Sequence, residues 1–321
     1  MSIEFEFRKD GTLRDGFSSA ESSNKHSKTL ANLSFETEEK TETDSHSITE
    51  GGNLEELLAD LDALVGLAQV KENVKSLTNL VRVMEARKAA GYDQAPMSLH
   101  LVFTGNPGTG KTTVARLLSK IYRCVGVLPS GHLIEVDRAG LVGGYVGQTA
   151  MKVQEVVNRA KGGILFIDEA YALTVNRGET DYGFEAVDTL LKAMEDNREN
   201  MIVIVAGYTD PMREFLNSNP GLQSRFNNFI DFPDYNADEL QEIFLRMCSK
   251  NHLVIDEEAK LYSLSYFEKR VSQSNENFAN AREVRNFFEK TLVNQANRIS
   301  SAGQIFDEEE MLRISLADVT L

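Results

Sequence analysis

A chain of 321 residues, 41% of them hydrophobic, can hold roughly two domains of ordinary size around a substantial core. Its 49 acidic residues outnumber its 34 basic residues, and the net charge of −15 disfavours nucleic acid as a partner because nucleic acid is also anionic. No apolar run approaches the ~20 residues that cross a bilayer, and the first residues lack the order of a signal peptide, so we expect a cytoplasmic protein without membrane insertion. The two cysteines, Cys124 and Cys248, have no metal-ligand spacing and are expected to be buried apolar side chains.

Residues 1–52 are predicted to form a disordered acidic tail. They are rich in Ser, Thr, Glu, Lys and Asn, and 36–50 contains almost no large apolar residue, so this stretch cannot bury enough surface to offset the entropy of ordering. Ile3, Phe5 and Phe7 alternate with charged residues before a turn at Asp10-Gly11. A flexible leader and a short segment that docks on a partner both fit this pattern.

The first helical pattern begins at Leu54. Apolar residues recur at helical spacing over 54–64 and again over 70–91, and Val65-Gly66 between them predicts a tight joint. An apolar strand is predicted over 99–103 and an amphipathic helix over 113–121. The residues between this strand and this helix therefore lie in a strand–loop–helix setting.

That loop reads Gly105-Asn106-Pro107-Gly108-Thr109-Gly110-Lys111-Thr112, the P-loop pattern of Gly, four residues, Gly, Lys and Thr. Its glycines let the backbone turn tightly, so that N–H groups converge on phosphate oxygens. Lys111 is expected to reach the β- and γ-phosphates, as a binding and catalytic residue, and Thr112 to bind Mg²⁺. The predicted ATP-binding residues of the loop are Asn106, Pro107, Gly108, Thr109, Gly110, Lys111, Thr112 and Thr113.

Four further apolar segments are predicted to be strands: 132–136, 164–167, 201–206 and 229–232. Helical patterns over 149–161 and 184–195 separate them. Strands that are apolar throughout and alternate with helices indicate a parallel sheet covered on both faces. The sequence therefore predicts an α/β fold with a five-stranded parallel sheet.

The pattern changes after Pro233. Periodic stretches over 237–250, 256–270 and 280–299 predict helices alone. We therefore expect an α/β nucleotide-binding domain over 53–235 and a small all-helical domain over 236–302. The last segment, 303–321, stays unassigned.

A second acidic motif follows the third predicted strand, where Ile164-Leu165-Phe166-Ile167 ends in Asp168 and Glu169. Such a Walker-B pair lets the first carboxylate, Asp168, hold Mg²⁺ through water, while the second, Glu169, polarises the attacking water. An acidic residue that only caps the next helix is the alternative.

Several motifs together resemble the AAA+ ATPases. They are the P-loop, Asp168-Glu169-Ala170-Tyr171, Ala206-Gly207-Tyr208 and the run 219–226. More narrowly, they resemble the branch that contains the red-type Rubisco activase, sporulation stage V protein K and the ATPase of type VII secretion. Two further motifs match that branch: Asp181-Tyr182-Gly183 with Glu185-Ala186, and Asp231-Phe232-Pro233-Asp234-Tyr235. The resemblance covers about residues 54–300 and implies a P-loop AAA+ core followed by a helical lid.

This resemblance implies roles for two kinds of arginine. Arg225 occupies the position of the arginine finger, which enters the neighbouring subunit's site; such residues contribute about 10³–10⁵ in rate. A surface arginine that pairs with a helix is the alternative. Arg282 resembles the sensor-2 arginine that touches the γ-phosphate from the same chain, although Arg285, one helical turn on, could do the same work.

Two further parts of the site follow from the same resemblance. Val65 and Gly66 resemble the segment that lines the adenine pocket, where a glycine lets the backbone approach the base; a plain glycine at a helix joint is the alternative. The turn after the fourth strand departs from the common sensor-1 pattern, so Tyr208 and Thr209 are both candidates for the polar group that aligns water.

A glycine-rich loop follows the second strand and carries Tyr145, Val146 and Gly147. The resembling family places an aromatic, an aliphatic and a glycine residue here, facing a central pore. An aromatic side chain can grip any extended polypeptide through contact area alone. A buried core tyrosine is the alternative, and the loop over 174–182 is a weaker second candidate for a pore loop.

These features predict a ring-forming homo-oligomer, a hexamer, that uses ATP and Mg²⁺ to remodel or pull on a protein client through a central pore. An ATPase of a secretion or sporulation system is an alternative within the family. A nucleic-acid motor or loader and a nucleotide-switched scaffold are alternatives from other classes. The sequence does not identify the client, because the parts that bind and hydrolyse ATP are shared across the family.

Overall fold

In the computed structural model, the described residues are 53–92, 97–145, 147–175, 181–273, 278–302 and 307–320. The predicted tail, 1–52, lies outside them, as does Val146 of the predicted pore triplet. No helix within the described residues is long and apolar enough to cross a membrane.

Two helices precede the sheet, as the apolar periodicity predicts: α1 spans Leu54–Ala63 and α2 spans Ala68–Ala89. The side chain of Asn53 caps α1 by accepting a hydrogen bond from the backbone N–H of Glu55 at 3.1 Å. Gly66 and Leu67, both with φ of +57°, reverse the chain between the helices. The joint is therefore a tight left-handed turn.

Five strands form one parallel sheet: β1 Leu101–Gly105, β2 Leu133–Val136, β3 Ile164–Ile167, β4 Ile202–Gly207 and β5 Asn228–Phe232. Their spatial order is β2-β3-β4-β1-β5, so β1 lies between β4 and β5. All residues of β3 and β4 are buried, as expected for strands covered on both faces. Because all strands are parallel, the loops after β1, β3 and β4 emerge at one edge of the sheet.

The helices of this part are α3 Lys111–Cys124, α4 Arg138–Leu141, α5 Gln148–Ala160, α6 Gly183–Asp196, α7 Thr209–Asn217 and α8 Pro220–Arg225, with a 3-10 turn over Ala170–Leu173. Successive strand residues point to opposite faces. Leu101 and Phe103 pack on the side of α1, α2 and α3, whereas Val102 packs on the side of α5, α6 and α7. The predicted α/β fold is therefore confirmed.

The chain closes with α9 Ala237–Lys250, α10 Glu257–Ser272, α11 Ala281–Ala302, α12 Glu308–Leu312 and α13 Leu316–Val319. Phe244 of α9 and Phe287 of α11 meet edge to face with ring centroids 5.0 Å apart, which holds the two helices together. The prediction of helices alone misses one detail: β6 Val254–Ile255 and β7 Arg313–Ile314 form a parallel pair. Two residues per strand are too few to produce a periodic apolar pattern.

The cysteines differ from each other in burial. Cys248 of α9 is buried, as expected, whereas Cys124, the last residue of α3, is only half-buried. Burial raises the pKa of the Cys248 thiol to about 12. Cys248 is therefore protonated and unreactive at neutral pH.

Candidate active site

The P-loop connects β1 to α3 through three glycines in the left-handed region: Gly105, Gly108 and Gly110 have φ of +139°, +74° and +96°. Among the described residues no side chain caps the N-terminus of α3, so its first N–H groups stay available to an anion. The Lys111 ammonium donates hydrogen bonds to the carbonyl oxygens of Gly105 at 2.8 Å and Asn106 at 2.9 Å. The loop therefore has the conformation and the charge that a phosphate group requires.

A cavity of about 580 Å³ opens in front of this loop, and we call it the P-loop cavity. Most of the predicted binding residues line it: Val65, Pro107, Gly108, Gly110, Lys111, Thr112, Thr113, Asp168, Glu169 and Arg282. Asn106, Thr109, Gly66 and Arg225 are not among its lining residues. Thr109 is fully buried instead, with its hydroxyl donating to the Asn106 carbonyl at 2.8 Å, so it shapes the loop from behind.

The two acidic residues after β3 meet Lys111 in this cavity. Burial is the largest influence on the pKa of Lys111 and lowers it, the nearby Asp168 and Glu169 carboxylates raise it, and Arg282 lowers it. Glu169 itself has φ of +48°, an uncommon conformation for a residue other than glycine. Both Walker-B carboxylates and Arg282 are thus within electrostatic reach of Lys111.

Tyr171, which the sequence did not single out as a site residue, contacts Glu169. Burial and the charge of Glu169 raise the pKa of Tyr171 to about 12, and the two side chains share a hydrogen bond. The ring of Tyr171 also lies 6.1 Å from that of Tyr208. Of the two sensor-1 candidates, Tyr208 lines the P-loop cavity and Thr209 does not, which favours Tyr208.

The C-terminal helices approach the P-loop at Gly108. The N–H of Ala281 donates to the Gly108 carbonyl at 3.2 Å, and a Cβ on Gly108 would collide with the Ala279 carbonyl and lie 2.9 Å from the Arg282 nitrogen. Arg282 and Arg285 both line the cavity. Glycine at position 108 is therefore required both by its positive φ and by this close contact.

Gly66 has a different neighbour from the one that the adenine-pocket expectation suggests. A Cβ on Gly66 would collide with the carboxylate of Glu239, which caps α9 by accepting a hydrogen bond from the Asn236 N–H at 2.9 Å. Val65 does line the cavity, beside the apolar side chains of Ile243 and Met247. Val65 thus lies on the apolar side of the cavity, whereas Gly66 permits the close approach of α9.

Two polar residues near the loop have side-chain partners far away in the sequence. The amide of Asn106 donates to both carboxylate oxygens of Asp234 at 3.0 Å, and Asp234 also accepts from Asn280 at 2.7 Å. The Tyr235 hydroxyl donates to the Thr109 carbonyl at 3.3 Å. The motifs around Asn106 and Asp234 were visible in the sequence, but these partnerships were not, because they join residues 46 to 128 positions apart.

Arg225 lies outside the cavity, at the last residue of α8. One guanidinium nitrogen is 3.3 Å from a carboxylate oxygen of Glu195, and the other donates to the Gly221 carbonyl at 3.4 Å. The side chain remains 28% exposed. Arg225 is therefore accessible from outside its own chain and absent from its own chain's cavity.

The predicted pore loop connects α4 to α5. Tyr145 is 74% exposed, which contradicts the alternative of a buried core tyrosine. Gly147 has φ of +80° and stands immediately before α5. The base of the loop is held firmly, because the Gly143 N–H donates at 3.0 Å to the hydroxyl of the buried Thr149. Of the weaker candidate loop over 174–182, residues 176–180 lie outside the described part of the chain.

A P-loop beside a buried strand that ends in two carboxylates defines the class of P-loop nucleoside triphosphatases. The sequence profile of the ATPase family associated with various cellular activities (AAA) matches residues 101–234, and that of the AAA lid domain matches residues 236–321. Together with the relatives described next, these matches show that the chain belongs to the AAA family of ATPases.

Its relatives cover most of the chain. Chromosomal CbxX of Cupriavidus necator is 44% identical over 82% of this chain and 83% of its own length, and CbbX of Cereibacter sphaeroides is 43% identical over 82% and 84%. Stage V sporulation protein K of Bacillus subtilis is 43% identical over 84% of each chain. The resemblance to this branch, seen first in the motifs, is confirmed.

Among solved structures, a Thermotoga maritima RuvB mutant superimposes with a TM-score of 0.50. The alignment covers 81% of this chain and 70% of the RuvB chain at 19% identity. At that identity the likeness concerns the fold alone. It supports the five-stranded sheet followed by helices.

Proposed function

We propose that this protein is a ring-forming ATPase, active as a hexamer, that uses ATP hydrolysis to pull on a protein client. One observation carries the proposal. The P-loop cavity gathers Lys111, Asp168, Glu169 and Arg282 from a single chain, whereas Arg225 lies outside it. The Arg225 guanidinium of one subunit would therefore act at the P-loop cavity of its neighbour, in keeping with a family whose members are typically oligomeric.

In this proposal the chain's own residues bind and orient ATP. The N–H groups at the start of α3 and the Lys111 ammonium hold the phosphates, and Val65 contacts the base. Thr112 and Asp168, which both line the cavity, offer oxygen ligands of the kind that Mg²⁺ prefers. When bound by these two residues, Mg²⁺ would supply positive charge that stabilises the phosphates of ATP. Glu169 orients the attacking water, and Tyr208 is the favoured sensor-1 residue.

We also propose the domain division expected from the sequence. Residues 53–235 form the nucleotide-binding domain and 236–302 the lid, with the tail over 1–52 as a separate segment. The matches to AAA over 101–234 and to the AAA lid over 236–321 support the boundary near residue 235 and favour adding 303–321 to the lid. The need for ATP supports a cytoplasmic location.

The intersubunit site can be tested by mixing two inactive variants. Glu169→Gln removes the carboxylate that polarises water but keeps Arg225, and Arg225→Ala does the reverse. If Arg225 acts on the neighbouring subunit, an equal mixture regains about a quarter of the wild-type ATPase rate, since one junction in four joins an intact cavity to an intact arginine. Full activity of Arg225→Ala alone, or no recovery on mixing, would refute the intersubunit mechanism.

Client handling is tested at Tyr145. Tyr145→Ala is expected to keep basal ATPase activity, because this exposed side chain is not among the lining residues of the P-loop cavity, and to lose work on the client. The client is first captured by cross-linking to Glu169→Gln with ATP bound. Tyr145→Phe is the matched control, since it retains the aromatic contact area. Unchanged client remodelling by Tyr145→Ala would contradict the pore assignment.

The alternatives predict different stimulation. An ATPase of a sporulation or secretion system would use the same mechanism on a different client. The 43% identity to stage V sporulation protein K supports this alternative. A nucleic-acid motor would show ATPase stimulation by DNA at moderate salt, which the net charge of −15 disfavours. A nucleotide-switched scaffold would bind its client without turnover-dependent remodelling.

A further inference from the structure

Asn280 immediately precedes α11 and combines two unusual properties. Its side chain is fully buried, and its backbone has φ of +49°, in the left-handed region that few residues other than glycine adopt. Such a conformation has an energetic cost and persists only where the surroundings determine it. The contacts of Asn280 must therefore hold it in this conformation.

The Asn280 side chain joins three separate segments of the chain. Its amide oxygen accepts a hydrogen bond from the Tyr235 N–H at 2.8 Å, just after β5. Its amide nitrogen donates to the Asp234 carboxylate at 2.7 Å and lies 3.4 Å from the carbonyl oxygen of Pro107 in the P-loop. The same nitrogen lies 3.0 Å from the Phe278 carbonyl, so its two hydrogens are shared among three acceptors.

Asp234 is in turn bound to the P-loop. It accepts two hydrogen bonds from the amide of Asn106, both at 3.0 Å. Asn280 and Asn106 thus donate to the same carboxylate from opposite sides of the junction between the P-loop and α11. Because this carboxylate also raises the pKa of Lys111, it lies within electrostatic reach of the phosphate-binding lysine.

The consequence falls on Arg282, two residues after Asn280. The first turn of α11 is fixed to the P-loop by the bond from the Ala281 N–H to the Gly108 carbonyl at 3.2 Å. That bond and the side-chain bonds of Asn280 leave the start of α11 little freedom to rotate or slide. Arg282 then projects into the P-loop cavity from a fixed backbone.

We propose that Asn280 is the positioning residue of Arg282: its bridge from Asp234 to the start of α11 holds Arg282 where the γ-phosphate of ATP binds. The inference rests on the proposed function, in which Arg282 contacts that phosphate. ATP has a γ-phosphate for Arg282 to contact, and ADP does not. Loss of the bridge should therefore weaken ATP binding and spare ADP binding, whereas general damage to the site would weaken both.

The test measures equilibrium binding of ATP and of ADP to the full chain, in a Glu169→Gln background so that ATP is not consumed. Asn280→Gly keeps the left-handed backbone accessible and removes the bridging amide. We expect about tenfold weaker ATP binding, the lower end for one charge-assisted hydrogen bond, and ADP binding within about twofold. Added to Arg282→Ala, Asn280→Gly should cause no further loss of selectivity, since both changes remove the same contact.

A second variant and a control keep the test decisive. Asn280→Asp tolerates the same backbone but places a second carboxylate against Asp234, so its loss of ATP selectivity should shrink as pH falls and the pair takes up a proton. Asn294→Ala on the same helix, whose amide donates to the Asp318 carbonyl at 3.0 Å, is the matched control and should bind both nucleotides normally.

The outcomes separate the inference from the function on which it rests. If Arg282→Ala keeps the wild-type ratio of ATP to ADP affinity, the assignment of Arg282 is wrong, and a fall of that ratio in Arg285→Ala would move the role there. If the ratio falls in Arg282→Ala but not in Asn280→Gly and Asn280→Asp, the positioning role of Asn280 is overturned. Equal weakening of ATP and ADP binding in both Asn280 variants would also overturn it.

Discussion

His100 shows how one buried titratable residue ties the sheet together. It immediately precedes β1 and is 5% exposed, and its Nδ1 accepts a hydrogen bond from the Val203 N–H of β4 at 3.0 Å. Its ring also lies 5.9 Å from that of Phe226, next to Arg225. Burial, and to a lesser extent the charge of Arg225, lowers the pKa of His100 from 6.5 to about 4. The folded protein therefore holds this imidazole neutral.

This pKa predicts a pH dependence of stability. The pKa of His100 is lower in the folded state than in the unfolded state, so the unfolded state binds more protons between pH 4 and 6.5. The contribution of His100 to the free energy of unfolding is therefore complete above pH 6.5 and is lost as the pH falls towards 4. Urea unfolding near pH 5 should give a free energy about 2 kcal/mol smaller than near pH 7 from this residue alone. His100→Gln should remove that part of the difference; an identical pH dependence in the variant would contradict the assignment.

At the scale of elements, an ion pair joins α4, the helix before the candidate pore loop, to the segment between the Walker-B strand β3 and α6. Arg138 begins α4, and its guanidinium lies 2.6 Å from the Asp181 carboxylate, with side-chain exposures of 17% and 6%. Arg138 also donates to the Ala172 carbonyl at 2.5 Å, in the 3-10 turn that follows Glu169. Asp181 accepts from the Gly183 N–H at 2.8 Å, at the start of α6. Three elements around the candidate pore loop thus share one arginine.

Removing that arginine should destabilise this region strongly. Arg138→Ala leaves the Asp181 carboxylate in a buried position without its guanidinium, at a cost on the order of 3 kcal/mol in unfolding free energy. Arg116→Ala is the matched control, because its pair with Glu135 at 2.8 Å is exposed and should contribute less than about 1 kcal/mol. Chemical denaturation of both variants measures the difference, and equal losses would show that burial of the Arg138 pair is unimportant.

At the scale of the whole molecule, charge and site geometry act in opposite directions on assembly. A net charge of −15 makes identical subunits repel one another, so association needs specific contacts. In the proposed ring one such contact is Arg225, held 3.3 Å from Glu195 in its own chain and available to a phosphate in the next. Bound ATP should therefore strengthen association.

The Glu169→Gln variant with bound ATP should show stronger association of subunits than the wild type. The amide cannot polarise the attacking water, so in the proposed ring ATP should persist and its γ-phosphate should stay bound to the neighbouring Arg225. Sedimentation velocity at fixed protein concentration should show a larger share of the oligomer than for the wild type, and a smaller share when Arg225→Ala is added. Lys111→Ala, which weakens nucleotide binding, should show no response to ATP. A size distribution indifferent to ATP in Glu169→Gln would speak against the ring.

Sequence patterns alone determined the order of the five sheet strands and of the longer helices, the P-loop and the Walker-B carboxylates, whereas the short helices α4, α7 and α8 were not predicted. Each is a local property, because apolar periodicity reflects which face of an element is buried and motif spacing reflects a single turn of backbone. The expectations for Tyr145, Val65 and Arg282 came from the resemblance to the AAA+ ATPases. In the structure Tyr145 is exposed, and Val65 and Arg282 line the P-loop cavity.

The tertiary structure decided what depends on contacts between distant parts of the chain. It placed Gly66 against Glu239 and favoured Tyr208 over Thr209 as a residue of the P-loop cavity. It also joined Asn106, Asp234 and Asn280, three residues with no common local pattern, into one bridge between the P-loop and α11. Such pairings arise because the parallel sheet brings the ends of β1 and β5 side by side, and no periodicity along the chain encodes which residues meet there.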